Sequence, residues 1–122
     1  MPGFRHLDDD ERLQGSRLRV VEARFRAPDG TEFRRDVVRN MGAVAVVPVL
    51  ADGQHVLVVR LYRGAVDREL LEIPAGLLDV TGESLEDCAR RELAEEVGVG
   101  ATTLEHLVTT QVAPGFSDHV IT

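Results

Sequence analysis

The chain has 122 residues, of which 43% are hydrophobic and 29% charged, as in a soluble globular domain rather than a fibrous or disordered chain. Its formal net charge of −7 argues against a protein that coats nucleic acid, because such proteins carry a basic surface. The N-terminus has no apolar signal sequence and the single cysteine, Cys88, cannot form an internal disulfide, so we expect a cytoplasmic protein with no membrane partner.

The first 40 residues divide into a charged segment and a predicted hairpin. Residues 1–16 have many charges and no periodicity, so we expect a flexible tail there. Residues 17–26 and 31–38 are rich in β-branched and long side chains, and the turn sequence between them contains proline and glycine. Two interpretations of the hairpin at 17–40 stay open: an edge hairpin of the domain, and an arm that forms a homodimer.

The core of the predicted domain spans residues 41–122, within an overall domain of 17–122. The apolar run at 43–50 is typical of a strand buried on both faces. Further strands are predicted at 55–62, 70–73 and 104–112, with another beginning at 119–122. One helix is predicted over 84–97, because Ser84 is a good N-cap and Gly98 follows the last apolar position.

Acidic residues share the apolar side of this helix. An apolar stripe recurs every four residues, at Leu85, Ala89, Leu93 and Val97. Glu92 and Glu96 project close to that stripe, and Glu95 lies on its flank. Neither Arg90 nor Arg91 projects toward these carboxylates, so the helix offers them no obvious partner.

Carboxylates beside an apolar stripe need compensation, because desolvated like charges cost several kcal/mol unless something offsets them. A hard divalent cation with oxygen ligands, above all Mg²⁺, would supply it. The alternative is a solvated acidic helix that pairs with arginines. The helix taken alone does not decide between the two.

The segment around the helix resembles the Nudix box, G-x5-E-x7-R-E-U-x-E-E-x-G-U, where U is a bulky aliphatic residue. Gly76 and Glu83 match its first glycine and glutamate, and residues 91–99 match every later fixed position. One departure is that six residues, not five, separate Gly76 from Glu83. The resemblance implies a Nudix pyrophosphohydrolase with an α+β fold: a mixed β-sheet sandwiched between helices and preceded by an antiparallel hairpin.

The same resemblance implies roles for the matching residues. The Mg²⁺ ligands, which would also accept Mn²⁺, would be three glutamates and one backbone carbonyl: Glu92, Glu95, Glu96 and Ala75. Glu83 and Arg91 would form an ion pair that ties the loop to the helix and would complete the catalytic set. For Arg91 the alternative is a plain surface charge.

Sequences outside the box look like the ADP-ribose pyrophosphatase branch. They lie at 17–38, 42–46, 59–63, 72–76 and 113–118. This likeness implies a homodimer formed through the hairpin and a nucleoside diphosphate-sugar substrate, ADP-ribose or an ADP-sugar, cleaved to AMP and a sugar phosphate. It implies substrate contacts at Arg63, Arg60, Gly76, Gly115 and Phe116. For Arg63 the alternative is a structural ion pair with Glu72, and for 113–118 a plain turn.

Other functions of the same fold stay open at the level of sequence. One is hydrolysis of a different NDP-sugar or a dinucleoside polyphosphate, and another is nucleotide binding without catalysis. Relatives continue for several elements after the loop at 113–118, including a loop that often supplies a catalytic glutamate. We therefore expect the general base to lie beyond residue 122.

Overall fold

The computed structural model describes residues 3–122. Within that range the chain forms nine strands and one helix, in this order: β1 (Arg5–Gln14), β2 (Leu18–Arg26), β3 (Glu32–Asn40), β4 (Ala43–Ala45), β5 (Val59–Arg63), β6 (Arg68–Glu72), β7 (Ala75–Leu77), α1 (Leu85–Val97), β8 (Thr110–Gln111) and β9 (Val120–Ile121). The chain divides into two compact units, the first up to residue 41 with 110–120, the second 42–109 with 121–122. Among the described residues, no helix is long and apolar enough to cross a membrane.

The first unit contains a three-stranded antiparallel sheet in the order β1-β2-β3. The predicted hairpin is confirmed as β2 and β3, which pair from Leu18 opposite Asn40 to Arg26 opposite Glu32. Its turn requires glycine, because Gly30 adopts a φ of 89° while its amide donates to the Ala27 carbonyl at 2.9 Å.

Strand β1 lies where the sequence predicts a flexible tail, so that prediction is wrong for the secondary structure of residues 5–14. Two acidic side chains of β1 pair with arginines of the other two strands of the sheet, Arg24 on β2 and Arg39 on β3. Asp8 pairs with Arg24, and Asp9 accepts two hydrogen bonds from Arg39, at 2.9 and 3.0 Å. A charged run therefore forms an ordered strand, because its charges are matched across the sheet.

The segment at 113–118 is attached to strand β3 in this unit. Val38 donates to the Phe116 carbonyl at 2.7 Å, and the Asn40 amide donates to the Asp118 carboxylate at 2.8 Å. The Ser117 hydroxyl donates to the Val38 carbonyl at 3.1 Å. The strand predicted at 104–112 is reduced to the two residues of β8.

The second unit builds its core between a small sheet and the helix. Strand β4 pairs antiparallel with β7 and, at Ala43, parallel with Ile121 of β9. Helix α1 packs on β4 and β7. The buried core residues are Val44, Cys88 and Ala89, joined by the partly buried Val46, Leu78 and Leu104.

The apolar run at 43–50 is shorter as a strand than predicted. Strand β4 ends at Ala45, and Val47 and Val49 are 42% and 61% exposed, so the expected burial on both faces is wrong for that half. Pro48, three residues further on, limits how far a strand could continue, since a proline has no amide hydrogen to donate to a sheet ladder. The predicted strands at 55–62 and 70–73 correspond to the antiparallel hairpin of β5 and β6.

Candidate metal and substrate site

The helix that carries the glutamates begins and ends where the sequence predicts. The Ser84 hydroxyl accepts a hydrogen bond from the Asp87 amide at 3.0 Å, and Gly98 caps the last turn in the left-handed region, with a φ of 67°. Ala89 and Leu93 are buried, as the apolar stripe predicts, whereas Leu85 at the start of the helix is 46% exposed, so the stripe prediction is wrong there. The caps fix the register in which α1 presents its acidic residues.

One arginine, Arg91, contacts most of the acidic groups around this helix. Its Nε and Nη2 each donate to the Glu83 carboxylate at 2.9 Å, so the ion pair expected between loop and helix is present. Its Nη1 donates to Glu92 at 2.9 Å and to Glu95 at 3.4 Å. These contacts raise the pKa of Arg91, chiefly through the hydrogen bonds to Glu83.

The expectation that neither arginine partners the helical carboxylates is wrong for Arg91. Angular positions on a helix describe where a side chain starts, whereas a long guanidinium can turn back to an adjacent residue. Arg90 does lie apart from this cluster, since it donates to Glu86 at 2.9 Å and to the Ala101 carbonyl. The pairing with Arg91 is a feature of the alternative interpretation, an acidic helix that pairs with arginines, while the Glu96 carboxylate oxygen that has no partner within residues 3–122 is a feature of a metal site.

Glu92 is the buried member of the acidic set, with 8% of its surface exposed. Burial raises the pKa of Glu92, and the charges of Glu95 and Glu96 raise it further, while Arg91 opposes the shift. Gly76 provides the room for this carboxylate, because a Cβ added at Gly76 would overlap the Glu92 side chain. The backbone at Gly76 and the Glu92 side chain therefore lie in direct contact.

Glu96 is held by the backbone of the preceding loop. The Ala75 amide donates to its Oε2 at 3.1 Å. In the described part of the chain, Oε1 of Glu96 has no hydrogen-bond partner. A carboxylate held by one oxygen keeps the other available as a ligand.

Each of the three helical glutamates has a hydrogen-bond partner within the protein. In residues 3–122, no three acidic, histidine or cysteine side chains lie close enough together to hold a metal ion. Glu92 and Glu95 instead face the Arg91 guanidinium, and Glu96 faces the Ala75 amide. The donor set, carboxylate oxygens beside a backbone loop, is nevertheless of the type that Mg²⁺ binds.

The extra residue between Gly76 and Glu83 is absorbed in a turn. Gly82 adopts a φ of 80°, and the Glu83 amide donates to the Val80 carbonyl at 3.2 Å. Since the turn closes before the helix begins, Glu83 still reaches Arg91.

The Glu83–Arg91 pair predicts a pH-dependent stability. The hydrogen bonds from Arg91 hold the pKa of Glu83 below its ordinary value of 4.5, so the pair stabilises the fold fully above pH 4.5. This contribution is lost as the pH falls through the lower pKa of the folded state. We therefore expect Glu83→Gln to lower the melting temperature at pH 7, with the difference from wild type shrinking below pH 4.5.

The measurement is a series of thermal melts between pH 3 and 7. Glu105→Gln is a suitable control, because Glu105 has no ion-pair partner within residues 3–122. A difference between wild type and Glu83→Gln that stays constant with pH would contradict the expectation.

The hairpin of β5 and β6 places the expected substrate arginine beside an acid. Arg63 donates to Glu72 through Nε at 2.9 Å and through Nη2, the ion pair that sequence leaves as the alternative for this residue. Arg60 points to Glu69 at 3.8 Å and is largely exposed. Gly115 and the 60% exposed Phe116 belong to the first unit, whereas the other expected site residues belong to the second.

Two contacts of the site were not predicted from the sequence. The Ala75 amide anchors Glu96, where sequence suggested only a carbonyl ligand, and Gly76 makes room for Glu92, where sequence suggested a substrate contact. A fixed glycine before an acidic helix is the signal that could have pointed to the second contact. The first depends on the loop path, which spacing does not determine.

Comparison of the sequence with known proteins identifies one family and several relatives within it. The chain matches the NUDIX domain family over residues 39–121. It is 47% identical over 118 residues to an ADP-ribose pyrophosphatase of Mycobacterium tuberculosis, covering 97% of this chain and 56% of that protein. It is 38% identical over 94 residues to an ADP-ribose pyrophosphatase of Bacillus subtilis, covering 77% of this chain and 50% of that protein.

A solved structure shows the same fold. The crystal structure of an ADP compounds hydrolase superposes with a TM-score of 0.82 at 28% identity, covering 99% of this chain and 65% of that one. The chain spans about half the length of the curated relatives it matches, 56% and 50% for the two named above. The family match covers most of the chain and includes the whole helix with its glutamates, so the chain belongs to the NUDIX family.

Proposed function

We propose that this chain has the activity of a metal-dependent Nudix hydrolase that cleaves ADP-ribose or a related ADP-sugar to AMP and a sugar phosphate. The observation that carries the proposal is the placement of Glu92, a buried carboxylate against Gly76 with Glu95 and Glu96 on the same helix. The names of the relatives, ADP-ribose pyrophosphatase and ADP compounds hydrolase, support the choice of an ADP-linked substrate.

The metal in this proposal is Mg²⁺, with Mn²⁺ as a substitute. Glu92, Glu95 and Glu96 would hold it, together with the carbonyl of Ala75. When bound, such an ion neutralises charge on pyrophosphate oxygens and lowers the pKa of a coordinated water. Arg91 would remain available to hold the loop, because its hydrogen bonds to Glu83 are made by Nε and Nη2, whereas those to Glu92 and Glu95 are made by Nη1.

The protein's own residues have separate tasks in this scheme. Arg63 supplies a guanidinium, with Arg60 on the other face of the hairpin as a weaker candidate, and a guanidinium matches phosphate oxygens in geometry. Gly76, Gly115 and Phe116 are proposed substrate contacts. The β2–β3 hairpin is proposed as the homodimer contact, and the cytoplasm as the compartment, in keeping with the lone cysteine.

The decisive test is hydrolysis of ADP-ribose by the natural full-length protein. With Mg²⁺ we expect AMP and ribose phosphate as products, in equal amounts, because one phosphoanhydride bond breaks. Chelation with EDTA should remove the activity, and added Mg²⁺ should restore it. Products are measured by ion-exchange chromatography.

A substrate panel separates this proposal from its alternatives. Other NDP-sugars and a dinucleoside polyphosphate are compared by kcat/KM under the same conditions. Faster turnover of one of these than of ADP-ribose would overturn the substrate assignment and keep the reaction class. Nucleotide binding with no turnover of any compound would indicate a sensor and overturn the enzymatic proposal.

A further inference from the structure

The ion pair between Arg63 and Glu72 is not an ordinary cross-strand neighbour pair. In the β5–β6 register, Arg63 stands opposite Arg68, and Glu72 stands opposite Val59. Glu72 is thus four residues along the strand from the position facing Arg63, a separation of about 13 Å at the usual rise. Both side chains must extend along the hairpin face to meet.

Arg63 and Glu72 lie on the same face of the β5–β6 hairpin, and their side chains meet along it. Leu61 and Leu70 face each other between the two charged residues and are partly buried. Glu72 has 23% of its side chain exposed and Arg63 has 50%. The guanidinium is therefore drawn away from the hairpin turn, and its stem lies along this face.

Glu72 also belongs to the short segment that anchors Glu96. Three residues after Glu72, the Ala75 amide donates to Glu96, and the Pro74 carbonyl accepts from Val46. Three residues of chain span at most about 11 Å. In agreement, the pKa of Arg63 is raised first by Glu72 and also by the charge of Glu96.

The paired guanidinium keeps a free donor. Nε and Nη2 of Arg63 bind Glu72, whereas Nη1 has no hydrogen-bond partner among residues 3–122. We propose that Glu72 is a positioning residue, which draws the Arg63 guanidinium along the hairpin toward Glu96 and holds it where Nη1 can donate to a pyrophosphate oxygen. This inference rests on the function proposed above for the choice of a pyrophosphate-containing ligand.

The test measures pyrophosphate binding separately from turnover. Binding of Mg²⁺-pyrophosphate to the natural full-length protein is followed by calorimetry for wild type, Glu72→Gln, Glu72→Asp and Glu69→Gln. We expect Glu72→Gln to weaken binding about tenfold, the scale of immobilising one long side chain. With ADP-ribose, KM should rise by a similar factor while kcat stays within about twofold, as for an interaction equal in ground and transition states.

The variants separate positioning from charge. Glu72→Asp keeps the charge but shortens a pair that is already extended, so it should weaken binding as Glu72→Gln does. Glu69→Gln removes the same charge from the opposite face of the hairpin and should bind like wild type. Adding Glu72→Gln to Arg63→Gln should cause no further loss, because Glu72 acts through Arg63.

Several outcomes would overturn the inference. They are binding by Glu72→Gln that equals or exceeds wild type, wild-type binding by Glu72→Asp, a further loss in the double variant, and no pyrophosphate binding by wild type. If the expected pattern holds for pyrophosphate but ADP-ribose is not hydrolysed, the substrate proposal fails and the positioning role stands.

Discussion

Replacing Glu96 by glutamine is expected to lower kcat/KM for Mg²⁺-dependent hydrolysis by about 100-fold or more, the usual loss when one electrostatic group of an active site is removed. Glutamine keeps an oxygen that can accept the Ala75 hydrogen bond, so the loop should stay in place. What disappears is the charge that a divalent ion requires. The measurement is steady-state hydrolysis of ADP-ribose together with Mn²⁺ binding by electron paramagnetic resonance.

Stability should respond in the opposite direction to activity. Glu96 is one of two like charges that raise the pKa of Glu92, so neutralising it relieves repulsion in the metal-free protein. We therefore expect a melting temperature equal to or above that of wild type. A variant that is inactive and also unfolded would not fit this account.

The matched control is Glu86→Gln. Glu86 lies on the same helix, in its first turn, and pairs with Arg90 at 2.9 Å. Glu86→Gln removes one negative charge from the helix, as Glu96→Gln does, but leaves the proposed metal ligands unchanged. The hydrolysis rate and Mn²⁺ binding of Glu86→Gln should therefore match those of wild type. Full activity of Glu96→Gln would show that the metal is held elsewhere.

The sequence predicted the parts of the molecule that depend on local rules. Helix α1 has its own cap residues, Ser84 and Gly98, and the β2–β3 hairpin has its own turn. The Glu83–Arg91 pair followed from a long motif with fixed spacing. Each of these is encoded within a few tens of residues, so no distant contact is needed to identify it.

The failures arise where distant residues decide the outcome. The acids of residues 5–14 suggested disorder by composition, but arginines such as Arg24 and Arg39 pair with them across the sheet. Likewise, the run at 43–50 suggested burial, whereas Val49 is 61% exposed. Charge matching between strands and burial of a face are tertiary properties, which the periodicity of one segment does not contain.

In the candidate site too, features that depend on local spacing were predicted and features that depend on other contacts were not. Helical spacing placed Glu92, Glu95 and Glu96 on neighbouring positions, but it did not reveal that Arg91 turns back onto two of them. Nor did it reveal the Ala75 anchor, which depends on the loop path. The chemistry of the groups was readable from sequence, while their hydrogen-bond partners were not.

Replacing Gly76 by alanine is expected to disable the site by a steric route. The added Cβ would overlap the end of Glu92 and also its Cγ, so the carboxylate must leave its buried position. Overpacking of this kind costs about 1–3 kcal/mol of stability. A displacement of about 1 Å at a catalytic centre lowers the rate about 100-fold, and we expect a loss of at least that size.

Backbone strain does not explain the effect expected for this variant. The glycines that require positive φ are Gly30, Gly53, Gly82 and Gly98, and Gly76 is not among them. Alanine can therefore adopt the backbone conformation at Gly76, and the cost comes from Glu92 alone. Gly100→Ala is the control, because a Cβ there meets nothing within 4 Å.

A second substitution tests whether Glu92 is the residue that the added Cβ meets. Truncating the opposing side chain in Gly76→Ala/Glu92→Ala should restore much of the melting temperature lost in Gly76→Ala, because alanine lacks the Cγ and the carboxylate that the new Cβ would overlap. The rate should stay low, since this double variant has no carboxylate at position 92. If the double variant melts no higher than Gly76→Ala, then contact with Glu92 is not the reason that this position requires glycine.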